Sequence, residues 1–309
     1  MIRKSYGEFM KNLVSGRFAF TGEIEPGKTA DLTKAIKAGR LLKGSVLAVN
    51  ITDCPMASGH MNSLVPSYVI QKEVGIETIY QVTCRDRNRI AIFADLLAAG
   101  ALGIVNVLAL SGDYTTHGDL PEAKPVFDLD SISLIHMIRK ITDEGKDLGD
   151  NEIEQPPKFH VGAVANPCAN PIEPEIVKIE KKVNMGVEFI QTQVVYDIET
   201  AREFLDNVKH LKVPILIGIF PLRSSKAALW MNQHCPEVNI PVEFMDKLRR
   251  TERIRDKNLQ ESRCKDINIQ YFGQFVKELR KNTKAAGCHI MAAGFEEITR
   301  PIVNASEME

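Results

Sequence analysis

The sequence predicts an α/β protein, a single (βα)8 barrel domain over residues 1–309, on three observations. Eight short, nearly continuous apolar runs recur, most of them rich in Val, Ile and aromatic residues, which is how strands buried on both faces of a parallel sheet read. Each run is followed by a longer amphipathic segment, and most run starts lie about thirty residues apart, the length of one strand–helix unit. Neither G-x-G-x-x-G nor G-x-x-x-x-G-K-[ST] occurs, which removes the sequence support for a dinucleotide-binding or P-loop sheet. Eight such units close most naturally into a TIM barrel; an open doubly wound sheet is the alternative that periodicity leaves standing.

The runs fall at residues 18–24, 46–52, 78–83, 105–110, 159–165, 187–193, 214–219 and 288–293. After the first, Thr29 or Asp31 offers an N-cap for a helix over 32–42. After the third, Asp86 precedes a helix over 87–101 that Gly103 closes, and Asp128 or Asp130 introduces a helix over 132–142. Two connections carry polar insertions with Pro or Gly, one after strand 4 around 114–157 and one before the last helix and strand around 235–265. In the second, Arg249, Arg250, Arg253 and Arg255 are read as a solvated helix face, with a docking surface as the alternative. Trp230, on a helix over 224–233, is read as a packing residue in preference to a ring stacked on a ligand.

Lys plus Arg number 39 against 40 Asp plus Glu, a formal charge of −1, so no electrostatic footprint for nucleic acid or an anionic membrane exists. No run of 18 apolar residues occurs, and Arg3, Lys4, Glu8 and Lys11 interrupt the N-terminal stretch, so neither a membrane span nor an export signal is expected. Cys54, Cys84, Cys168, Cys235, Cys264 and Cys288 lie far apart with no C-x-x-C, which predicts reduced thiols, a cytoplasmic setting and no metal or cluster. None of the seven His has a metal-ligand spacing, so each is read as structural or exposed.

In a barrel of this kind, chemistry sits at the carboxyl ends of the strands. Those ends carry Glu23 and Glu25, then Asn50, Thr52 and Asp53, then Thr83 with the Arg85-Asp86-Arg87-Asn88-Arg89 cluster. Ser111, Gly112 and Asp113 follow strand 4, Asn166 follows strand 5, and Gln191, Gln193 and Tyr196 lie at strand 6. A polar mouth over an apolar barrel suits a ligand with many hydrogen-bonding edges. Glu23 and Glu25 share a face of an extended strand, and one of them pointing into the mouth is a candidate general acid; a solvated Glu25 and a cation-paired Glu23 are the alternative. Gly112 lets the backbone approach a planar ligand, with Asp113 either facing that ligand or capping a turn. The arginines either begin a solvated helix or recognise an anion.

In order and spacing, Thr21-Gly22-Glu23-Ile24-Glu25-Pro26-Gly27-Lys28-Thr29, Gln81-Val82-Thr83-Cys84, Leu108-Ala109-Leu110-Ser111-Gly112-Asp113 and Thr192-Gln193-Val194-Val195-Tyr196-Asp197 resemble motifs of the methylenetetrahydrofolate reductases. The similarity extends to Gly218-Ile219-Phe220-Pro221 and so covers strands 1 to 7. What the resemblance implies is a flavin-binding (βα)8 barrel that reduces 5,10-methylenetetrahydrofolate to 5-methyltetrahydrofolate, with FAD or FMN as hydride donor. It implies Glu23 as catalytic acid and Asp113 as the carboxylate that stabilises a 5-iminium cation, a strong electrostatic effect in a dry site. Gln193 and Phe220 fall on substrate-binding positions; Asn50, Gln81, Leu110, Ser111, Gly112 and Asn166 fall on flavin-binding ones, and Lys181 and Lys182 on a basic pair near the flavin phosphates.

The chain departs from many bacterial members at Ile24-Glu25-Pro26-Gly27, at Gln81 and Asn50, in the strand 5 loop and in strand 8, so FAD and FMN stay open as alternatives. Arg85-Asp86-Arg87-Asn88 resembles the branch of anaerobic one-carbon metabolism. The resemblance therefore implies electrons either from NAD(P)H directly or from a zinc- and iron–sulfur-containing partner subunit, and an oligomer or heteromeric complex. The competing readings are a non-catalytic flavin or scaffold subunit and a pterin-binding methyltransferase barrel.

Overall fold

Apolar runs with no polar face of their own need cover on both sides, and here they fold into eight parallel strands. The computed structural model describes residues 4–235 and 238–308. The strands are β1 (Ala19–Ile24), β2 (Ala48–Ile51), β3 (Glu77–Thr83), β4 (Asn106–Leu110), β5 (His160–Ala165), β6 (Phe189–Val194), β7 (Ile215–Ile219) and β8 (Gly287–Ile290). They pair in sequential order, and β8 pairs back with β1, so the sheet is a closed barrel and the open alternative is excluded. Each strand end lies within three residues of the sequence reading.

Helix α1 (Glu8–Val14) precedes β1; α2 (Thr33–Leu42), α3 (Leu64–Val74), α4 (Arg89–Ala101), α5 (Ser131–Glu144), α6 (Glu173–Asn184) and α7 (Ile198–Asn207) follow β1 to β6 in turn. Three helices, α8 (Ser225–His234), α9 (Val242–Thr251) and α10 (Lys257–Asn282), separate β7 from β8, and α11 (Thr299–Glu307) closes the ring. The insertion after strand 4 is thus two loops around the barrel's own α5, and the one before strand 8 is helical. Helix α9 docks through Phe244, whose ring stacks on Tyr271 of α10 at 4.2 Å between centroids. Its Arg249, Arg250 and, just beyond it, Arg253 and Arg255 are exposed, in line with the solvated reading.

The cap expected at Asp86 falls instead at Asn88, whose side chain accepts the Ala91 N–H at 3.0 Å. Asp86 is held by the Arg85 guanidinium, with Nη2 donating at 2.7 Å, and this charge-assisted fork outcompetes a cap. Asp130 caps α5 through Ser133 N–H at 2.7 Å, while Asp128 pairs with Arg89.

Two apolar cores result. The larger lies between strands and helices; the smaller fills the lower barrel, where Phe9, Met10 and Leu13 of α1 pack on Ala19, Ala48, Ile79, Leu108, Phe189 and Leu216. Phe9 meets Phe189 edge to face at 5.2 Å. The open amino end of α1 is satisfied by Glu77 of β3, which accepts the N–H groups of Glu8 and Phe9. Sequence reading did not single out this plug.

Candidate active site

Side chains alternate inward and outward along a barrel strand. Above the plug, Thr21 and Glu23 of β1, Asn50 of β2, Gln81 of β3, Gln191 of β6 and His289 of β8 meet inside the barrel through their side chains. Asn50 and Gln191 form a reciprocal amide pair, Asn50 Nδ2 donating to Gln191 Oε1 at 2.7 Å and Gln191 Nε2 donating back to Asn50 Oδ1 at 3.1 Å. Gln191 Nε2 also donates to Thr21 Oγ1 at 3.0 Å, and Thr21 Oγ1 lies 2.9 Å from His289 Nδ1. All four are buried, so each bond avoids the cost of an unpaired polar group in the barrel.

Glu23 stands at the top of this layer. Its side chain is 15% exposed, and only Oε2 is approached, by Gln81 Nε2 at 3.4 Å and His289 Nε2 at 3.6 Å. Oε1 takes no hydrogen bond from the described residues, and is the atom left to act toward a ligand. Glu25 points elsewhere, its Oε1 3.3 Å from His60 Nδ1 across the loops after β1 and β2.

Gly112 has φ +91 and lies so close to Thr83 and Arg85 that a Cβ there would sit 3.0 Å from Arg85 Cβ and 3.2 Å from Thr83 Cβ. The strand 4 end is therefore a tight backbone shelf packed against Thr83 and Arg85, at which only glycine is unstrained. Asp113 is exposed beyond this shelf, and after burial its charge is the second influence that pushes the Cys235 thiol up, which puts the carboxylate within electrostatic range of the end of α8. Leu110 is half-buried and Ser111 exposed. Gln193 is exposed at the end of β6, where the pairing with β7 shifts register between Gln191 and Val194. Thr192 Oγ1 accepts the Gly218 N–H at 2.8 Å within this irregularity. The Phe220 ring is half-buried at the end of β7, with its carbonyl accepting the Tyr196 hydroxyl at 2.7 Å.

Lys182 reaches from α6 to the Val164 carbonyl at 2.6 Å, and burial holds its ammonium below the usual lysine range despite the opposing Glu175. Lys181 is exposed, since neighbouring helical residues point about 100° apart. The two lysines therefore do not form one pair in space. Asn166 sits at the foot of α6, its backbone N–H donating to buried Glu175 at 3.0 Å.

With this geometry in place, comparison decides the family. A family model described as methylenetetrahydrofolate reductase matches residues 8–307, from the plug helix to the last helix. The chain belongs to this family. It is 28% identical over 204 residues to methylenetetrahydrofolate reductase 1 of Schizosaccharomyces pombe, covering 62% of this chain and 31% of that one. The 5,10-methylenetetrahydrofolate reductase of Pectobacterium carotovorum is 24% identical, with 69% of this chain and 67% of that one covered. The chain spans about a third of the length of the first two curated relatives it matches, 31% and 32%. A solved Clostridium thermocellum protein, described as binding two copies of 5-methyl-5,6,7,8-tetrahydrofolic acid, shares the fold with a TM-score of 0.64 at 16% identity, over 97% of this chain and all of that one.

As a methylenetetrahydrofolate reductase family member, the chain uses its arginine cluster structurally. Arg85 is 2% exposed and holds Asp86 and the Cys54 carbonyl. Arg87 bridges Asp53 and Asp95; burial alone would lower its basicity, but those carboxylates and Tyr80 raise it overall. Arg89 pairs with Asp128. Trp230 is not packed: it is 44% exposed and stacks on His234 at 4.6 Å. The site residue that sequence reading missed is His289. Its only sequence signal was its place in an apolar run; the pairing of His289 with Thr21 is what brings it to Glu23.

Proposed function

We propose that this chain reduces 5,10-methylenetetrahydrofolate to 5-methyltetrahydrofolate with a bound flavin, FAD or FMN. The observation that carries this reading is Glu23: a carboxyl group at the top of the barrel, approached on one oxygen by the nitrogens of Gln81 and His289 and open on the other, in a chain of this family. Its role is to give a proton to the leaving nitrogen as the imidazolidine ring opens, a step for which general acids contribute roughly 10²- to 10⁴-fold. The methylene carbon is left as an iminium on the other nitrogen, and in this reading Asp113, exposed just after β4, is the anion that offsets this charge. Gln193 and Phe220, at the ends of β6 and β7, are the substrate-contacting positions in this reading.

Flavin, when bound, supplies the hydride to the iminium carbon. The residues suit such a group. Two buried donors at neighbouring strand ends, Thr52 Oγ1 and Arg85 Nη1, have no hydrogen-bond partner among the described residues and are free to meet a polar ligand edge. In this reading Gln81, Leu110, Ser111 and Asn166 supply further polar and backbone edges at the strand ends, Asn50 supports the flavin side from the layer beneath through Gln191, and exposed Lys181 and buried Lys182 are separately assigned to the phosphate side. Electrons reach this site from NAD(P)H directly or from a zinc- and iron–sulfur-containing partner subunit.

Purified protein should be yellow, and after anaerobic reduction with dithionite it should be reoxidised by methylenetetrahydrofolate with formation of the 5-methyl product. A colourless protein, or a reduced one indifferent to methylenetetrahydrofolate, would sink the reading. Bleaching by NADH or NADPH alone identifies the direct hydride route; its absence in a protein that passes the reoxidation test points to the partner subunit. All six cysteines are free, and no helix among the described residues is long and apolar enough to cross a membrane.

A further inference from the structure

His289 lies nearly buried inside the barrel, 3% exposed, with one ring nitrogen on Thr21 and the other toward Glu23. The amide orientations of Asn50 and Gln191 set what each nitrogen carries. Gln191 Nε2 has two hydrogens and spends them on Asn50 Oδ1 and Thr21 Oγ1. Thr21 Oγ1 is therefore already an acceptor, and its own hydrogen has one recorded partner, His289 Nδ1 at 2.9 Å. With Nδ1 accepting, the neutral ring bears its hydrogen on Nε2, aimed at Glu23 Oε2 3.6 Å away. With the amides so oriented, the opposite tautomer leaves the Thr21 hydrogen unpaired in a buried site and turns a lone pair toward the carboxylate.

The chain of contacts thus runs from β2 through β6 and β1 to β8 and ends on the side chain proposed as the acid. At 3.6 Å the last contact is longer than a hydrogen bond, as is common before a ligand closes a site. We propose that His289 is a positioning residue for Glu23: its tautomer is set by Thr21 and the Asn50–Gln191 pair, and its Nε2–H anchors Oε2 so that Oε1 faces the substrate and the carboxylate left after proton transfer is stabilised. The inference rests on the reading of Glu23 as general acid, and it assigns a role to a strand in which sequence comparison of motifs found none.

Two measurements test it. In the ligand-free protein, ¹⁵N spectra of the histidine rings, assigned by difference with His289→Asn, should show His289 protonated on Nε2 at neutral pH; a ring protonated on Nδ1 overturns the proposal whatever the activity. The second is the anaerobic reoxidation rate of the dithionite-reduced protein by methylenetetrahydrofolate, in variants whose melting temperature shows that they fold. His289→Asn keeps an amide near Thr21 but withdraws the donor from Glu23, and should slow reoxidation about tenfold, the rate equivalent of losing one hydrogen bond to a charged group. His289→Gln, whose amide reaches further, should restore most of the rate. In the Glu23→Gln background, His289→Asn should cost nothing more, because it acts through Glu23. An equal slowing in both backgrounds, or a wild-type rate in His289→Asn beside a slow Glu23→Gln, overturns the inference alone. An unslowed Glu23→Gln overturns the functional reading beneath it.

Discussion

At the amino-terminal end of the barrel the inward positions are Ala19, Ala48, Ile79, Phe189 and Leu216, closed by Phe9, Met10 and Leu13. Two residues further along, the same faces of β1, β2, β3 and β6 carry Thr21, Asn50, Gln81 and Gln191, and on β8 the step runs from Gly287 to His289. Strands β4 and β5 make no such step, going on to Leu110 and Val164. One turn of the alternation therefore separates a dry plug from a hydrogen-bonded layer, and the polar side is not spread evenly but gathered on the strands around Glu23. Packing and, in the proposed function, chemistry thus occupy consecutive layers of one interior, governed by volume below and by donor and acceptor matching above.

The largest expected effect breaks the lower layer. Phe9→Ala should destabilise the fold by about 3–5 kcal/mol, the usual cost of deleting a buried aromatic ring, while leaving the reoxidation rate of the folded fraction unchanged. Thermal melts and single-turnover rates on the same sample check both halves; a rate loss matching the stability loss would dissolve the separation of the layers. Next, Asp113→Asn, at an exposed position, should leave the melting temperature within about a degree yet slow single-turnover product formation about a hundredfold, and an unslowed variant would remove Asp113 from the iminium.

Lys182→Met sharpens the comparison at its edge. Burial holds this ammonium below its ordinary range, so below that depressed value the fold carries the cost of a buried charge, and the cost fades as pH rises toward the ordinary lysine value. At neutral pH the substitution should be neutral or stabilising in a melt, but weaken flavin retention about tenfold in a dialysis assay. Equal flavin retention would remove Lys182 from the phosphate side.

The smallest effect concerns the rim. Hydrogen bonds from Arg89, side chain first and then backbone, hold exposed Asp128 down to about 2. Its contribution is present above the ordinary carboxylate range and is lost as pH falls through about 2, so Asp128→Asn should shift the acid end of an unfolding titration slightly and leave neutral stability nearly unchanged, since solvent screens an exposed pair. A large neutral-pH loss would show that the Arg89 pair organises the loop before α5.

Much of this architecture was legible because strands buried on both faces announce themselves as apolar runs, and Glu23 and Asp113 sit at motif-bearing strand ends. The plug helix was not, since seven residues with charges among them read as an unremarkable terminus until the barrel's open end gives Phe9 and Met10 a place to go. Asp86 was misread as a cap because a preceding Arg is a stronger partner than a helix end. Lys181 and Lys182 were read as one basic pair from the family resemblance, and on α6 one of them is exposed and the other buried. His289 was invisible for a different reason: a single histidine in an apolar run has no meaning until strand register sets it beside Thr21.

The most direct test of the two-layer account is one single-turnover measurement on Glu23→Gln, in which dithionite-reduced protein is mixed anaerobically with methylenetetrahydrofolate and 5-methyltetrahydrofolate is quantified over time. The account predicts a protein that melts as the wild type does, keeps its flavin, and forms product at least about a hundredfold more slowly. Product formation at the wild-type rate would contradict it, leaving Glu23 a polar wall residue and the acid to be found elsewhere on the mouth.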